Sequence, residues 1–386
     1  MNVELRTKTG KTFQTTLRCV VFKFGSAVLS REFGHLDRRL IASYAKTISD
    51  LIDNGLRVVI VSSGAISAGI GEMSFEKKPE SIPEKQALAA IGQSKLMNLY
   101  SEVFARHGKK VAQILLTRDD MEDRRRFRNV RYTLDKLYAL GVVPIINEND
   151  TITIDELKFG DNDILSAIVA SKLDADMLIM LTVVDGLYMS WSESNRPEDI
   201  IPLVDRVTPR ILKMVSSSKS PYGTGGMLSK LKAAEYAGYA GIYTIIANGK
   251  KPGILERLFA GDIDGTLFLP GMKKRLSSRK RWIAFGKSGG SRRIVVDAGA
   301  RKALVEQGRS LLPVGIKHVE GGFKRGDVVL VYDEEEILLG KGIINFSSHE
   351  IQKIKGLRTS NISAVLGAMD YEEVIHRDNF VLLIDT

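Results

Sequence analysis

The chain has 386 residues, which is too many for one ordinary hydrophobic core, so two domains are expected. Its 44% hydrophobic and 26% charged residues are typical of a soluble globular protein, and no long apolar run predicts a membrane span. Cys19 is the single cysteine, which excludes an internal disulfide and a cysteine-based metal cage. With no apolar signal segment at the N-terminus, a reducing, cytoplasmic location is expected. The net charge of +10 suits anionic substrates.

Short β-branched runs alternate with helical stretches through the first two thirds of the chain. One helix is predicted at 36–54, closed by Asn54-Gly55, and a longer one begins after a Ser81 cap and ends near His107. Apolar strands that alternate with helices predict a mainly parallel sheet covered on both faces. The predicted strands are Cys19–Phe24, 57–61, 111–115, 142–146, 177–181 and 243–246.

The composition changes near Gly271. Residues 272–281 are basic and contain serines, which predicts a linker between a large domain at 1–271 and a small, mostly β domain at 282–386 with one short helix at 300–307. From Leu276 onward 17 Lys and Arg face 14 Asp and Glu, a net charge of +3 (17 − 14). The small domain is therefore not a strongly basic nucleic-acid-binding arm.

Stretches of small and polar residues directly follow five of the predicted strands. A single such loop is most often an ordinary turn. Because the carboxyl ends of parallel strands meet at one edge of a sheet, the five together predict a ligand site. Two further stretches of this kind, 160–163 and 224–230, open predicted helices. The five strand-end stretches are 23–26, 62–65, 147–150, 182–186 and 249–252.

These loops carry the residues that phosphoryl transfer needs. Such a site must neutralise the charge on phosphate oxygens and align donor with acceptor. Lys23 and Lys230 supply positive charge, and Asp163 could orient the two ammonium groups. A helix that begins near Leu228 would add the positive end of its dipole. Backbone N–H groups can approach an anion closely at the glycines Gly25, Gly64, Gly225 and Gly226.

The chain contains several long motifs, in the order VVFKFGSAVL, VIVSSGAISAG, KQALAAIGQSKLM, LLTRDDMEDRRRFRN, VVPIINENDTI, FGDNDILSA, YGTGGMLSKL and SLLPVGIKHVEGGFKRGDVV. In this order they resemble the motifs of the glutamate 5-kinase family within the amino-acid kinase superfamily. The resemblance runs from about Val20 to the C-terminus. Glycine-rich βα proteins in general would not combine NEND, GDNDxLSA and GTGGMxxK.

The resemblance implies a three-layer αβα sandwich of the amino-acid kinase type, with a mainly parallel sheet, followed by a small PUA-like domain. It implies that MgATP phosphorylates the side-chain carboxylate of L-glutamate, the first step of proline biosynthesis. Lys23 and Lys230 match the lysines that hold the phosphates, and Asp163 matches the aspartate that organises them. The glutamate-binding positions match Ser63, Asp150 and Asn162. The nucleotide-binding positions match Thr182, Val183, Thr224, Gly225, Gly226, Met227, Leu228, Ser229 and Lys230.

Elementary chemistry agrees with these implied roles. The α-amino group of glutamate suits Asp150, an acid with no cation beside it in NENDT, and its carboxylates suit the N–H groups of residues 63–65. The acceptor is already an anion, so catalysis needs charge neutralisation and positioning and no general base. The metal ligands stay open, because Mg²⁺ is commonly held by ATP oxygens and water.

The chain departs from the family pattern at three places. Phe24 replaces the usual leucine, and Val183 replaces the aspartate of the usual Thr-Asp pair, which leaves position 183 only a backbone contact with the nucleotide. The segment before Cys19 is longer than the N-terminal segment common in the family, and it has no assigned function. The resemblance also implies proline as feedback inhibitor, a homo-oligomer, and RNA as a ligand of the PUA-like domain.

Two other functions stay open at this stage. The first is another kinase of the same fold, for acetylglutamate, aspartate, carbamate or a nucleoside monophosphate; the NEND and GDND motifs argue against it. The second is an RNA-binding protein with an inactive kinase domain. That alternative predicts loss of the phosphate lysines and a strongly basic tail, whereas Lys23 and Lys230 are present and the tail carries only +3.

Overall fold

The chain divides into two compact units, Met1–Lys274 and Arg275–Thr386. The computed structural model describes residues 1–31, 34–75, 79–152, 161–188, 199–216, 226–271, 277–285, 292–367 and 371–383. Within these ranges no helix has the length and apolar character needed to cross a membrane.

The first unit is built on an eight-stranded sheet. Its strand order is β5-β6-β4-β3-β7-β9-β11-β8. The six strands from β5 to β9 in this order are parallel, and β11 turns antiparallel to β9. The predicted mainly parallel sheet is confirmed. The strands are β1 (Asn2–Thr7), β2 (Thr12–Thr16), β3 (Cys19–Phe24), β4 (Arg57–Ser62), β5 (Lys110–Leu116), β6 (Val142–Glu148), β7 (Met177–Thr182), β8 (Leu203–Val204), β9 (Tyr243–Asn248), β10 (Asp262–Ile263) and β11 (Gly265–Phe268).

Helices in two groups pack against this sheet and complete three layers. One group contains α2, α3, α4 and α10, and the other contains α5, α7, α8 and α9. The predicted Ser81 cap is present as a reciprocal capping box with Glu84. The helices are α1 (Ser26–Leu29), α2 (Arg38–Asp53), α3 (Ala65–Glu72), α4 (Ile82–Ala105), α5 (Arg118–Glu122), α6 (Arg124–Ala139), α7 (Asp161–Lys172), α8 (Pro209–Ser216), α9 (Met227–Tyr239) and α10 (Ile254–Phe259).

The central strands are apolar because both faces of the sheet are covered. All six residues of β3 and all six of β7 are buried. Phe24, which replaces a smaller residue of the family pattern, stacks on Tyr44 with ring centroids 4.9 Å apart. An aromatic pair of this kind contributes about 1 kcal/mol beyond the area that it buries. The substitution therefore gives β3 a packed neighbour at the point where the strand reaches the predicted site.

The residues before Cys19 form a β-hairpin that the sequence reasoning did not predict. Strands β1 and β2 pair antiparallel, and β1 pairs in parallel with β10 to make a separate three-stranded sheet. Alternate residues of β1 are buried, and Val3 and Leu5 join the main core. The alternation of apolar and polar residues in NVELRT is the signal that could have predicted this strand.

The second unit contains a five-stranded sheet with the order β13-β12-β14-β15-β16. The last four residues of the predicted linker at 272–281 belong to helix α11. This helix packs on the second unit, because its Ile283 and Ala284 are buried in a small apolar cluster of that unit. The predicted helix at 300–307 corresponds to α12. The elements are α11 (Ser278–Phe285), β12 (Arg293–Val296), α12 (Ala298–Val305), β13 (Ile316–Glu320), β14 (Val328–Asp333), β15 (Leu338–Ile343), α13 (Ser348–Ile354), α14 (Ile362–Leu366) and β16 (Phe380–Leu382).

Candidate active site

The carboxyl ends of four neighbouring strands bring the predicted site residues to one edge of the sheet. The strands lie in the order β6-β4-β3-β7. Lys23 is the penultimate residue of β3, and Ser63 directly follows β4. Asn147 lies near the end of β6, and Thr182 ends β7. The loops therefore meet where ligands of open parallel sheets bind.

Asp163 lies between the two predicted phosphate lysines. Its Oδ1 is 2.6 Å from the Nζ of Lys23, and its Oδ2 is 3.1 Å from the Nζ of Lys230. The Ser229 hydroxyl donates a 2.6 Å hydrogen bond to Oδ2. Asp163 is only 1% exposed and Lys23 5%. The first turn of α7 thus holds one carboxylate against ammonium groups from β3 and α9.

The electrostatics of this cluster follow from its burial. Burial lowers the pKa of Lys23; Asp163 opposes this shift, whereas Lys230 adds to it. Burial alone would raise the pKa of Asp163, but Lys23 and Lys230 overcome it and hold that pKa below its ordinary value. With two positive charges around one carboxylate, the cluster carries an excess positive charge. It is therefore prepared to accept a phosphate anion.

Backbone donors lie beside the lysines. Gly226 is the N-cap of α9, and no side chain caps this helix. The N–H groups of its first turn, which contains Met227 and Leu228, are the ones that bind anions at helix N-termini. Ser229 turns its hydroxyl to Asp163 and to the carbonyl of Gly226. Thr224 and Gly225 of the predicted nucleotide segment lie outside the described residues.

A relay of amide side chains connects two of the three predicted glutamate-binding residues, Ser63 and Asn162. The Asn162 Nδ2 donates to the Ser63 hydroxyl at 3.0 Å and to the Asn147 Oδ1 at 3.1 Å. The Asn147 Nδ2 donates to the Gln93 Oε1 at 2.8 Å. Among the described residues, no hydrogen bond satisfies the buried Asn162 Oδ1 and the buried Gln93 Nε2. The relay thus offers one acceptor and one donor to a polar ligand.

The sequence predicted Asn147 only as part of the stretch 147–150 and gave no role to Gln93. Helix α4 brings Gln93 into the relay because Gly92 lies directly against α3. A Cβ at Gly92 would lie 1.9 Å from the carbonyl oxygen of Ala65, so any larger residue would push the two helices apart. The AAIGQ segment places a glycine directly before a glutamine within a predicted helix, and this pair is the sequence signal that could have indicated Gln93.

Gly64 shapes the start of helix α3 beside Ser63. It is the N-cap of α3 with a φ of 107°, a left-handed conformation that favours glycine. No side chain caps α3, so its first N–H groups are left for a ligand beside Ser63.

The remaining predicted residues lie at the same strand ends. Asp150 is half-buried in the turn that follows β6. Thr182 is buried, and its carbonyl accepts a 2.8 Å hydrogen bond from the N–H of Gly249. The Val183 side chain is half-buried and packs against the core. Within the part of the chain that the structure describes, no three His, Cys, Asp or Glu side chains converge as metal ligands would.

Comparison with known families defines the class of this protein. Residues 18–248 match the amino acid kinase family, and residues 292–366 match the PUA domain. The chain therefore belongs to the amino acid kinase family and carries a PUA domain. Both parts of the predicted fold class are confirmed.

Curated relatives narrow the class further. Glutamate 5-kinase of Thermoanaerobacter sp. (strain X514) is 47% identical over 364 residues, covering 94% of this chain and 97% of the relative. Glutamate 5-kinase of Geobacter sulfurreducens is 48% identical with the same coverage. That of Pelobacter propionicus is 46% identical over 368 residues, covering 95% of this chain and 98% of the relative. The chain belongs to the glutamate 5-kinase family, as the sequence motifs predicted.

Proposed function

We propose that this chain transfers the γ-phosphate of ATP to the side-chain carboxylate of L-glutamate and forms glutamyl 5-phosphate, the first step of proline biosynthesis. The observation that carries the proposal is the buried Lys23–Asp163–Lys230 cluster beside the amide relay at one sheet edge. The chain is 46–48% identical to several glutamate 5-kinases over nearly their whole length, which supports the same activity.

The chemical step needs charge neutralisation more than proton transfer. The acceptor carboxylate is already an anion, and the transferring phosphoryl group spreads negative charge over its oxygens. Lys23 and Lys230 would contact that charge from two sides, and Asp163, held by Ser229, would fix the direction of both ammonium groups. ATP supplies the phosphoryl group when it is bound. The N–H groups at the start of α9 would hold its phosphates.

The amide relay suits a zwitterionic amino acid. The Asn162 Oδ1 accepts hydrogen bonds and suits the α-ammonium group, together with the charge of Asp150. The Gln93 Nε2, the Ser63 hydroxyl and the N-terminus of α3 are donors that suit carboxylates. We therefore assign Ser63, Asp150 and Asn162 to glutamate binding and add Gln93 to them.

Glutamate recognition can be separated from ATP binding by kinetics. Asp150→Ala should raise KM for glutamate on the order of 10-fold, because the amino group loses its counter-charge, while KM for ATP changes little. Gln93→Leu should act the same way, since the leucine keeps the volume but removes the donor. Steady-state kinetics with each substrate varied in turn provides the measurement. Equal changes in both KM values would assign these residues to the fold instead.

Magnesium and the nucleotide segment complete the proposal. Since no group of three acidic, histidine or cysteine side chains converges among the described residues, Mg²⁺ would be held mainly by ATP oxygens and water. Thr182 and Val183 would contact the nucleotide through their backbone, and residues 224–230 would bind its phosphates. We further propose a cytoplasmic homo-oligomer whose catalytic domain comprises residues 1–271.

Trapping of the acyl phosphate with hydroxylamine tests the proposed activity directly. Purified protein should form hydroxamate only when both ATP and glutamate are present. N-acetylglutamate and aspartate should give little product; a preference for either would favour another kinase of this fold. No product with any acceptor would favour the alternative of an RNA-binding protein with an inactive kinase domain.

We also propose that proline inhibits the enzyme at or beside the glutamate pocket. A ligand that shares the relay would raise KM for glutamate and leave kcat unchanged at saturating glutamate. Initial rates over a grid of proline and glutamate concentrations measure this. An unchanged rate at low glutamate and millimolar-scale proline would contradict the proposal.

For the PUA domain we propose a role in regulation or association. RNA is a second candidate ligand, but the net charge of +3 from Leu276 onward gives only weak electrostatic attraction to phosphates. Any RNA binding should therefore be weak and should decline steeply with salt, which a binding titration at two ionic strengths would measure.

A further inference from the structure

The N-terminal hairpin is anchored beside the catalytic sheet. Strand β1 pairs with β10 through Arg6 opposite Asp262 and Thr7 opposite Ile263. The Arg6 N–H also donates a 2.6 Å hydrogen bond to the Gly261 carbonyl. The amino acid kinase family match begins at residue 18, after this hairpin. The hairpin is thus an addition to the shared kinase domain that is nevertheless packed into it.

A line of four side chains with alternating charge begins at Lys8, in the turn between β1 and β2. The Lys8 Nζ lies 2.9 Å from the Asp264 Oδ1. The Lys251 Nζ lies 3.0 Å from the Asp264 Oδ2 and 2.9 Å from the Asp185 Oδ1. Lys251 is therefore shared between two carboxylates, and Asp264 between two lysines. We call Lys8, Asp264, Lys251 and Asp185 the charge relay.

The far end of the charge relay fixes the loop after β7. The Asp185 Oδ1 also accepts a 3.0 Å hydrogen bond from the Asn248 Nδ2. Burial and the neighbouring Asp185 raise the pKa of the Tyr188 hydroxyl to about 12. Asp185 thus interacts with three groups of the protein, which makes it an anchor of the loop more than a group that contacts ligand.

The pKa values of Lys251 and Asp264 shift in the direction that ion pairing favours. Burial alone would lower the pKa of Lys251, but Asp185 and Asp264 overcome it and raise that pKa. Burial alone would likewise raise the pKa of Asp264, but Lys8 and Lys251 hold it below its ordinary value. The side chains of Asp185, Asp264 and Lys251 are 18–26% exposed, so solvent screens these pairs only in part.

We propose that the hairpin and the charge relay position the loop at 182–186 for nucleotide binding, so that Lys8, Asp264, Lys251 and Asp185 are positioning residues for ATP. The inference rests on the proposed function, which assigns Thr182 and Val183 to the nucleotide. Without Lys8, Asp264 would keep Lys251 and Arg257 as its cation partners among the described residues and would draw Lys251 away from Asp185. The loop at 182–186 would then lose its fixed orientation.

The test compares Lys8→Met with Lys11→Met. Lys11 lies in the same hairpin, is exposed, and forms no ion pair within the described ranges. Lys8→Met should raise KM for ATP about 3-fold, as expected for loss of a partly exposed ion pair, and Lys251→Met should raise it about 10-fold. KM for glutamate should stay within about 2-fold in each, and Lys11→Met should match the wild type in both.

Two further measurements separate the possible failures. Lys8→Met combined with Asp185→Asn should raise KM for ATP less than the product of the single effects, because the relay couples them. If Lys8→Met and Lys11→Met have the same KM for ATP, the positioning role is wrong. It is also wrong if all variants lower kcat, the affinity for ATP, the affinity for glutamate and Tm together. The affinity of the same variants for ATP, measured by calorimetry, tests the positioning role without requiring activity. Failure of the wild type in the hydroxamate assay would refute only the proposed function.

Discussion

Lys230→Met should lower kcat by about 10²-fold or more while the protein stays folded. Lys230 lies in the first turn of α9, and its ammonium group is 3.1 Å from the Asp163 carboxylate. Methionine keeps most of the length of the side chain but removes this ammonium group. In the proposed reaction this charge contacts the phosphoryl group most strongly in the transition state. Its loss should therefore appear in kcat more than in KM for ATP.

Lys232→Met provides the matched control for this variant. Lys232 lies two residues further along the same helix and is exposed, so its replacement changes the net charge by the same amount without touching the cluster. It should keep wild-type kcat. If Lys230→Met raises only KM for ATP and leaves kcat near normal, Lys230 binds the nucleotide without acting on the chemical step.

The sequence predicted those parts of the site that depend on local pattern. Lys23 follows four apolar residues of a buried strand, and Lys230 lies in the first turn of a helix after two glycines. Parallel strands bring such positions to one edge whatever the details of packing. The meeting of Lys23 with Asp163 was therefore foreseeable from the parallel arrangement of the strands and the GDND motif.

Contacts between distant segments could not be predicted in the same way. Gln93 meets Asn147 across 54 residues because two helices approach closely at Gly92, and one sequence does not reveal which side of α4 faces β6. Strand β1 pairs with Asp262 and Ile263, about as far from it in sequence as the first unit allows. The first half of helix α11, residues 278–281, was assigned to the linker because basic residues dominate its composition, whereas the buried Ile283 and Ala284 fell within the predicted small domain.

Asp163→Asn should remove both activity and stability. The substitution keeps the shape of the side chain but leaves two ammonium groups without the carboxylate between them. Removing one partner of a buried ion pair costs about 3 kcal/mol in the free energy of unfolding. We expect kcat to fall by 10²-fold or more as well, because the lysines would repel each other and lose their orientation. Denaturant unfolding and steady-state kinetics measure the two effects.

The pH dependence of this variant has a definite sign. Burial already lowers the pKa of Lys23 in the wild type, and loss of Asp163 should lower it further. Between that depressed pKa and the unfolded value of about 10.4, the unfolded chain binds more protons than the folded one. Stability must therefore rise with pH in this window. The loss of stability relative to the wild type should be largest below the depressed pKa of Lys23 in the variant and should shrink as the pH rises toward the higher pKa of Lys23 in the wild type.

A double variant separates the structural role of Asp163 from its catalytic role. In Asp163→Asn with Lys23→Met, one buried cation is removed together with the carboxylate, so most of the lost stability should return. The activity should not return, because the second lysine alone cannot neutralise the phosphoryl group from both sides. If Asp163→Asn instead keeps kcat within about 10-fold of the wild type, Asp163 does not organise the two lysines for catalysis. If stability stays low in the double variant, Asp163 supports the fold through Ser229 and the start of α9, and not through the charge of Lys23.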